Sequence, residues 1–170
     1  KGVALEPGNP LGHYAGALLL AALRRAGPAV AAMQKAVTLS PRRLVYLFDL
    51  VTMLLSQGEK QRAEAAFTEY EKIRNDVIAQ LRSGVEAQRV DAARELGSVM
   101  SDEVVLGALS GLLADGSAGL RQAAAQALGD SGAADPKVRQ ALTDALGREK
   151  EQRVQETIRA ALNALPLPKP

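Results

Sequence analysis

Apolar and polar residues along this chain follow the spacing of amphipathic helices. Between positions 67 and 81 the apolar residues recur mostly every three or four positions, which is the period of one face of an α-helix. They are Phe67, Tyr70, Ile73, Val77, Ile78 and Leu81. Valine and isoleucine form no alternating runs bounded by turn residues, as strands would. The pattern predicts an all-α fold without β-sheet, and one continuous helix from about Glu59 to Arg82.

A 34-residue repeat runs through the first half. KGVALEP at residues 1–7 returns as KAVTLSP at residues 35–41, an interval of 35 − 1 = 34. Asn9-Pro10 and Ser40-Pro41 each offer an N-cap followed by proline at the first helical position, as Asp135-Pro136 does in the second half. This interval is typical of helix-turn-helix repeats, so the sequence predicts a right-handed α-solenoid. Residues 1–7 are then expected to close a preceding repeat.

The first half resembles tetratricopeptide repeats. In the register that gives Pro41 the family's proline site, one repeat spans 10–43 and the next begins at Leu44. In the second repeat the family's apolar, turn and small sites are matched by Leu47, Leu50, Leu54, Gly58, Ala63 and Phe67. The resemblance implies paired helices that present a concave inner face.

That inner face is mostly apolar here. The resemblance places seven residues on it as partner-binding positions: Leu11, Tyr14, Leu18, Val45, Phe48, Thr52 and Leu55. Repeats that clamp a terminal carboxylate carry Lys, Arg and Asn instead, so we expect an amphipathic helix or an apolar segment of another protein. Phe48 is expected to lie open in the free chain. The alternative is that these side chains pack within the array or against an upstream repeat.

The second half carries a different repeat. RVDAARELG at 89–97 aligns with RQAAAQALG at 121–129, an offset of 121 − 89 = 32, and VQETIRAAL at 154–162 follows with a slip of about two residues. This resembles the short HEAT-like repeats of phycobilin lyase subunits. The two resemblances predict repeats at 1–76 and 77–164, with an extended tail at 165–170.

Three arginines recur in the second half, at Arg89, Arg121 and Arg153. The HEAT-like resemblance implies that such an arginine braces the loop aspartate of its own or a neighbouring repeat, and it makes Asp115 the partner of Arg121 or Arg153. The alternative is a ladder of arginines that faces a ligand.

The composition speaks against several classes of binding site and partner. The chain has 170 residues, a net charge of +2, no Cys and one His, and its only adjacent arginine pairs are at 24–25 and 42–43. We therefore predict no metal site, no cofactor and no nucleic-acid partner. No apolar run is long enough to span a membrane. Glu95, Asp102 and Glu103 could serve acid/base chemistry, but nothing in the sequence places two of them in an apolar pocket.

The sequence therefore predicts a non-catalytic protein-protein interaction scaffold. The alternatives are a HEAT-type lyase or chaperone-like enzyme subunit and a nucleic-acid-binding HEAT-like protein. The Arg- and Ala-rich composition is typical of GC-rich bacteria, which suggests an assembly subunit of an envelope or polysaccharide-secretion complex. The expected compartment is the cytoplasm, although a chain without cysteine also suits the periplasm.

Overall fold

The structure, a computed structural model, describes residues 8–99 and 102–166. Within these ranges the chain forms nine α-helices and no strand, so the predicted all-α class is confirmed. Residues 1–7, predicted to close a preceding repeat, and residues 167–170 of the predicted tail lie outside the described ranges. The helices are α1 (Pro10–Ala22), α2 (Ala26–Leu39), α3 (Leu44–Ser56), α4 (Lys60–Gln80), α5 (Glu86–Gly97), α6 (Glu103–Leu112), α7 (Ala118–Asp130), α8 (Pro136–Arg148) and α9 (Gln152–Ala164).

The chain divides into two compact units, the first ending at Ile73 and the second beginning at Arg74. Helix α4 contains this division and runs for 21 residues without a break at Asn75. The predicted continuous helix is confirmed, because the segment has an unbroken apolar stripe and no glycine or proline to bend it.

The core of the first unit joins α1, α2, α3 and the start of α4. Several of its residues are alanines, which let helix axes approach closely while the larger side chains fill the space between them. The buried cluster comprises Ala17, Val30, Met33, Ala36, Tyr46, Leu50, Leu54 and Ala63.

The 34-residue interval is visible in two turns of the first unit. Arg24 follows α1 with a left-handed φ of 56°, and Gly58, 58 − 24 = 34 residues later, follows α3 with φ of 74°. In each turn the next amide donates to a carbonyl near the end of the preceding helix, that of Leu20 at 2.9 Å and that of Leu54 at 3.0 Å. The two turns are therefore equivalent in conformation and hydrogen bonding.

Two of the three predicted caps are confirmed. The side chain of Asn9 accepts a hydrogen bond from the amide of Gly12 at 3.2 Å, and that of Asp135 accepts from the amide of Lys137 at 2.8 Å. The prediction at Ser40 was wrong, since α3 begins only at Leu44. The Ser40 carbonyl instead accepts from the amide three residues later at 3.2 Å. This closes a turn with proline at its second position, where proline is favoured.

In the second unit, α5, α7 and α9 contain the three copies of the HEAT-like motif, and α7 contacts both of the others. A Cβ atom added at Gly97 would lie 2.5 Å from Cβ of Ala127, and one added at Gly129 would lie 2.8 Å from Cβ of Ala161. The closing glycine of each copy therefore admits the alanine of the next copy. Asn163, which stands in place of this glycine in the third copy, is exposed.

Candidate partner-binding surfaces

Four of the seven predicted partner-binding residues are exposed in the first unit. On α1, Leu11 is 62% and Leu18 is 42% exposed. On α3, Leu55 is 57% exposed and Thr52 is also exposed. Val45 is half-buried and packs against the core cluster. Leucines with this much exposure are available to a partner.

Tyr14 connects α1 to α3. Its ring lies 4.7 Å from that of Tyr46, and its hydroxyl donates a hydrogen bond of 2.9 Å to a carboxylate oxygen of Asp49. Burial, the hydrogen bond to Asp49 and the charge of that carboxylate raise the pKa of Tyr14 to about 12. Burial also raises the pKa of Asp49, against the opposing effect of the hydrogen bond from Tyr14. Tyr14 is therefore held within the unit and is less available than the leucines.

The expectation that Phe48 lies open was wrong. Phe48 is half-buried, and its ring lies 5.5 Å from the ring of Tyr70, which is fully buried. Sequence reasoning missed this contact because the predicted inner face took its residues from α1 and α3, whereas Tyr70 lies on α4. Phe67, which the resemblance places on a large apolar site of the second repeat, is 41% exposed, and its ring lies 5.9 Å from that of Tyr70.

Two more leucines, Leu19 and Leu23, extend the exposed apolar surface of α1, and sequence reasoning missed them. They are 62% and 61% exposed. The signal was present, because α1 has no charged residue and is apolar on every face, whereas a helix at a water-exposed surface usually has one polar face. Together with Leu11, Leu18 and Leu55 they are called the exposed leucines below.

In the second unit, arginines of one repeat pair with loop carboxylates of the next. The guanidinium of Arg89 pairs with the carboxylate of Asp115. Arg121 donates two hydrogen bonds to the carboxylate of Glu149, at 2.6 and 2.9 Å, and one to the backbone carbonyl of Asp115 at 2.9 Å. Asp115 is thus a partner of Arg121, as predicted, but through its backbone carbonyl. Its carboxylate pairs with Arg89 instead, and sequence reasoning missed Glu149 as the carboxylate partner of Arg121.

The third position of this series is filled by Gln155. Its side-chain amide donates to the backbone carbonyl of Glu149 at 2.6 Å, as Arg121 donates to that of Asp115. Both intervals are 34, since 155 − 121 and 149 − 115 are equal. Arg153 was predicted for this position because the 32-residue offset does not account for the two-residue slip before the third copy. The side chain of Arg153 is exposed.

The contact with Arg121 dominates the electrostatics of Glu149. Its hydrogen bonds lower the pKa of Glu149 to about 2, with further help from the backbone amides of Glu151 and Lys150, while burial acts in the opposite direction. The same pair raises the pKa of Arg121. The pair therefore remains ionised throughout the physiological range and fastens a helix to the following loop.

Asp102, one of the candidate acid/base carboxylates, has a structural role. One oxygen accepts from the amides of Val104 and Val105 at 2.8 and 3.1 Å, which caps α6. The other oxygen forms an ion pair with Arg74 at 3.0 Å, with both side chains less than one-tenth exposed. Its neighbour Glu103 is exposed, so the two carboxylates do not share an apolar pocket.

An open cavity of about 380 Å³ lies along α5, α7 and α9. Its lining combines small residues with two arginines, two glutamines and one aspartate. The residues are Arg94, Gly97, Ser98, Gly119, Gln122, Ala123, Gln126, Ala127, Asp130 and Arg153. Arg94 forms an exposed pair with Asp91, and the amide of Gln126 donates to Asp130 at 2.9 Å. The positive charges at this cavity are thus partly neutralised.

Across residues 8–99 and 102–166, no group of three or more His, Cys, Asp and Glu side chains is placed to hold a metal ion. In the same ranges, no helix combines the length and apolar character needed to cross a membrane.

Comparison with models of protein families gives a match to the second half of the chain. Residues 75–163, which include α5 to α8 and almost all of α9, match the family described as HEAT repeats. No curated protein matches the chain.

Proposed function

We propose that this chain, which belongs to the family of HEAT-repeat proteins, is a non-catalytic protein-protein interaction scaffold. HEAT repeats are typical of such scaffolds, because stacked helical repeats create extended surfaces that partners can occupy. We further propose that the hairpins of the first unit are tetratricopeptide-type repeats. The equivalent turns at Arg24 and Gly58 support this assignment.

The observation that carries the proposal is the uneven distribution of exposed apolar side chains. Among the described residues, eight large hydrophobic side chains are exposed, and five of them are the exposed leucines, four on α1 and α3 and one, Leu23, directly after α1. Soluble proteins seldom keep a large apolar surface open unless something binds to it. The first unit therefore offers the partner-binding surface.

Charge narrows the partner class. Residues 8–58, which contain α1, α2 and α3, include five cations and one carboxylate. The cations are Arg24, Arg25, Lys35, Arg42 and Arg43, and the carboxylate is Asp49. The proposed partner is an amphipathic helix whose apolar face meets the leucines and whose borders are acidic. Charge complementarity of this kind favours correct orientation and fast association.

The energetics allow a complex of moderate affinity. Burying each leucine side chain fully contributes about 1.5–3 kcal/mol, whereas association costs roughly 4 kcal/mol or more in lost freedom of motion. A single leucine would not overcome that cost. Several buried together reach about −8 kcal/mol, which corresponds to a micromolar dissociation constant.

The proposal has two further parts: the chain catalyses no reaction, and it is a subunit of a larger assembly. Among the carboxylates considered for acid/base chemistry, Asp102 is occupied by a cap and an ion pair. The proposed setting is a subunit of a larger bacterial complex, which the composition supports. Hydrolase, lyase and transferase substrates can be screened with the purified chain. Turnover abolished by one polar substitution would refute the non-catalytic assignment.

Photo-crosslinking in cells tests the surface. A photoreactive amino acid placed at Leu18 or Leu55 is expected to capture one discrete partner, whereas the same group at Gln34, exposed on α2, is expected to capture little. Equal capture at the three sites would contradict the proposal. So would capture of a discrete partner from Arg153 with none from Leu18 and Leu55, because the cavity of the second unit would then be the binding site.

A further inference from the structure

The open cavity of the second unit has a floor of small residues. Gly97 belongs to α5, and Gly119, Ala123 and Ala127 belong to α7. Residues of this size allow the main chain of a ligand to approach a helix closely. The cavity of about 380 Å³ is also within the size range of ligand-binding pockets. The floor therefore leaves room for a peptide backbone along α7.

The helices that border the cavity on one side, α7 and α9, run in the same direction. The side-chain amide of Gln122, near the start of α7, donates to the hydroxyl of Thr157 on α9 at 3.2 Å. Gly129, near the end of α7, lies against Ala161, which is further along α9. The first turn of α9 therefore lies beside the first turn of α7.

The cavity carries opposite charges at its two ends. Arg153, in the first turn of α9, lies at the end where α7 begins, and Asp130, the last residue of α7, lies at the other end. The 130 − 119 = 11 residues from Gly119 to Asp130 rise about 16 Å along α7. A peptide of about five residues in extended conformation has the same length. Arg94 on α5 adds a second cation, so the lining as a whole is positive.

Neither arginine of the cavity is held in a strong ion pair. Among the described residues, the side chain of Arg153 has no hydrogen-bond or ion-pair partner. Arg94 contacts Asp91 at 3.3 Å, but these side chains are 71% and 76% exposed, and surface pairs of this kind contribute little. Both guanidinium groups are therefore available to carboxylates, which arginine binds through charge-assisted hydrogen bonds.

The repeats themselves do not require arginine at these two positions. Arg94 corresponds to Gln126 in the next copy, since 126 − 94 = 32, and Arg153 corresponds to Gly119 in the preceding copy, since 153 − 119 = 34. By contrast, the arginines that join successive repeats stand at equivalent positions and are paired with loop carboxylates. The two arginines of the cavity are thus not part of the contacts between repeats.

The two glutamines of the lining add hydrogen-bond acceptors. The amide nitrogen of Gln122 donates to Thr157, and that of Gln126 donates to Asp130 at 2.9 Å, so the unit itself orients both amides. Neither side-chain carbonyl oxygen accepts a hydrogen bond from the described residues. A ligand that satisfies the whole lining needs N–H donors as well as carboxylates, and an acidic peptide has both.

We propose that this cavity binds an extended acidic segment of a partner protein. Arg153 and Arg94 contact its carboxylates, and the side-chain oxygens of the two glutamines accept hydrogen bonds from its backbone amides. Because Asp130 repels carboxylates at its own end, the acidic residues of the segment lie towards Arg153. The site belongs to the second unit and is independent of the exposed leucines, so it gives the scaffold a second binding surface with different chemistry.

Titration of the whole chain with a defined peptide, followed by NMR of the backbone amides, tests this site. The probe is a blocked pentapeptide of alternating glutamate and alanine, and its counterpart has glutamine in place of glutamate. The acidic peptide is expected to shift the amide signals of Gly119, Ala123 and Ala127. It should bind about tenfold or more tightly than its counterpart, because hydrogen bonds to a charged group are about twice as strong as neutral ones.

Variants of two arginines on α9 separate the cavity from the general charge of the chain. Arg153→Ser is expected to weaken binding of the acidic peptide about fivefold or more, since it removes a charged hydrogen-bond donor. Arg159→Ser removes the same charge from an exposed site that does not line the cavity. It should change the affinity by less than about twofold, as expected of a screened surface charge.

Several results would overturn the proposal. Equal binding of the two peptides, or equal weakening by Arg153→Ser and Arg159→Ser, would mean that no carboxylate is recognised in the cavity. Glutarate bound as tightly as the peptide would mean that the ligand is a small anion. Signal shifts confined to the first unit, or no shifts at millimolar peptide, would count equally against it.

A variant without a change of charge guards against an arginine variant that folds poorly. Ala123 is half-buried on the floor of the cavity, so Ala123→Leu is expected to fill the space above α7 and to weaken binding about fivefold or more, as a steric clash in a pocket does. The amide spectrum of each variant shows whether it is folded. Unchanged affinity in a folded Ala123→Leu variant would place the peptide outside the cavity and overturn the proposal.

Discussion

The carboxylate of Glu149 receives two hydrogen bonds from the guanidinium of Arg121, at 2.6 and 2.9 Å, across 28 residues of sequence. The Glu149 side chain is 5% exposed and that of Arg121 is 17% exposed, so water screens the pair only weakly. Because Arg121 lies on α7 and Glu149 precedes α9, the pair joins successive repeats of the second unit.

Replacing Glu149 by Gln is expected to destabilise the chain by about 1–3 kcal/mol at pH 7, since Arg121 would lose its charged partner. The pKa of Glu149 is about 2 in the folded chain, below its ordinary value of 4.5. The stabilisation is therefore fully present above pH 4.5 and is lost as the pH falls from 4.5 towards 2. The free energy of unfolding, measured with urea at several pH values in this range, should depend less steeply on pH for Glu149→Gln than for the wild type. Glu69→Gln, at an exposed site on α4, is the control and should show the same pH dependence as the wild type. An unchanged pH dependence in Glu149→Gln would contradict the stabilising role of the pair with Arg121.

Gly97→Ala is expected to destabilise the second unit by about 1–3 kcal/mol through overpacking, because the new Cβ would lie 2.5 Å from Cβ of Ala127. Gly107 lies in the interior of α6, where an added Cβ would have no neighbouring atom within 4 Å. Gly107→Ala should therefore stabilise the chain by about 0.5–1 kcal/mol, as alanine normally does inside a helix. Chemical denaturation measures both changes, and a Gly97→Ala variant at least as stable as the wild type would rule out the close contact.

Arg24→Gly is expected to stabilise the first unit by up to about 1 kcal/mol, because a left-handed conformation is costly for a residue with a Cβ atom. Arg24 has φ of 56°, and its equivalent Gly58 already uses glycine at φ of 74°. Gly58→Ala should lower stability by a similar amount for the same reason. The midpoints of urea unfolding give both values. A loss of stability in Arg24→Gly would mean that the arginine side chain contributes more than its backbone costs.

Asp49→Asn is expected to maintain or raise stability at pH 7, since the neutral amide still accepts the hydrogen bond from Tyr14 without the cost of burying a charge. The pKa of Asp49 is raised by burial, so its contribution to stability is greatest when it is protonated and falls as the pH rises through its folded pKa. The difference between variant and wild type should therefore shrink as the pH is lowered and Asp49 becomes protonated. Urea unfolding at pH 7 and at acidic pH measures it. A variant less stable than the wild type at pH 7 would show that the charged hydrogen bond outweighs burial.

The sequence predicted those parts of the fold that depend on local pattern. The apolar stripe from Phe67 to Leu81 predicted the uninterrupted α4, and the caps at Asn9 and Asp135 follow from the chemistry of single residues. Ser40 shows the limit, because Pro41 fits a turn as well as a helix start. That choice depends on packing rather than on the two residues themselves.

The candidate sites were predicted less well, because they depend on spacing between elements. Because the repeat slips by two residues before α9, the third position of the arginine series is Gln155. For the same reason the contact between Arg121 and Glu149 was not predicted. Exposure of Leu19 and Leu23 depends on what packs against α1, which periodicity does not encode. The half-burial of Phe48 required the position of Tyr70 on a later helix.

The most direct test of the scaffold function is the affinity of the partner captured at Leu18 and Leu55 for the purified chain. Leu18→Glu combined with Leu55→Glu is expected to weaken binding at least tenfold, about 1.4 kcal/mol or more, with little change in melting temperature because both side chains are exposed. Arg94→Glu combined with Arg153→Glu, at the cavity of the second unit, serves as the matched control and should keep most of the affinity. Full affinity in the leucine variant, or loss of binding only in the arginine variant, would contradict binding through the exposed leucines.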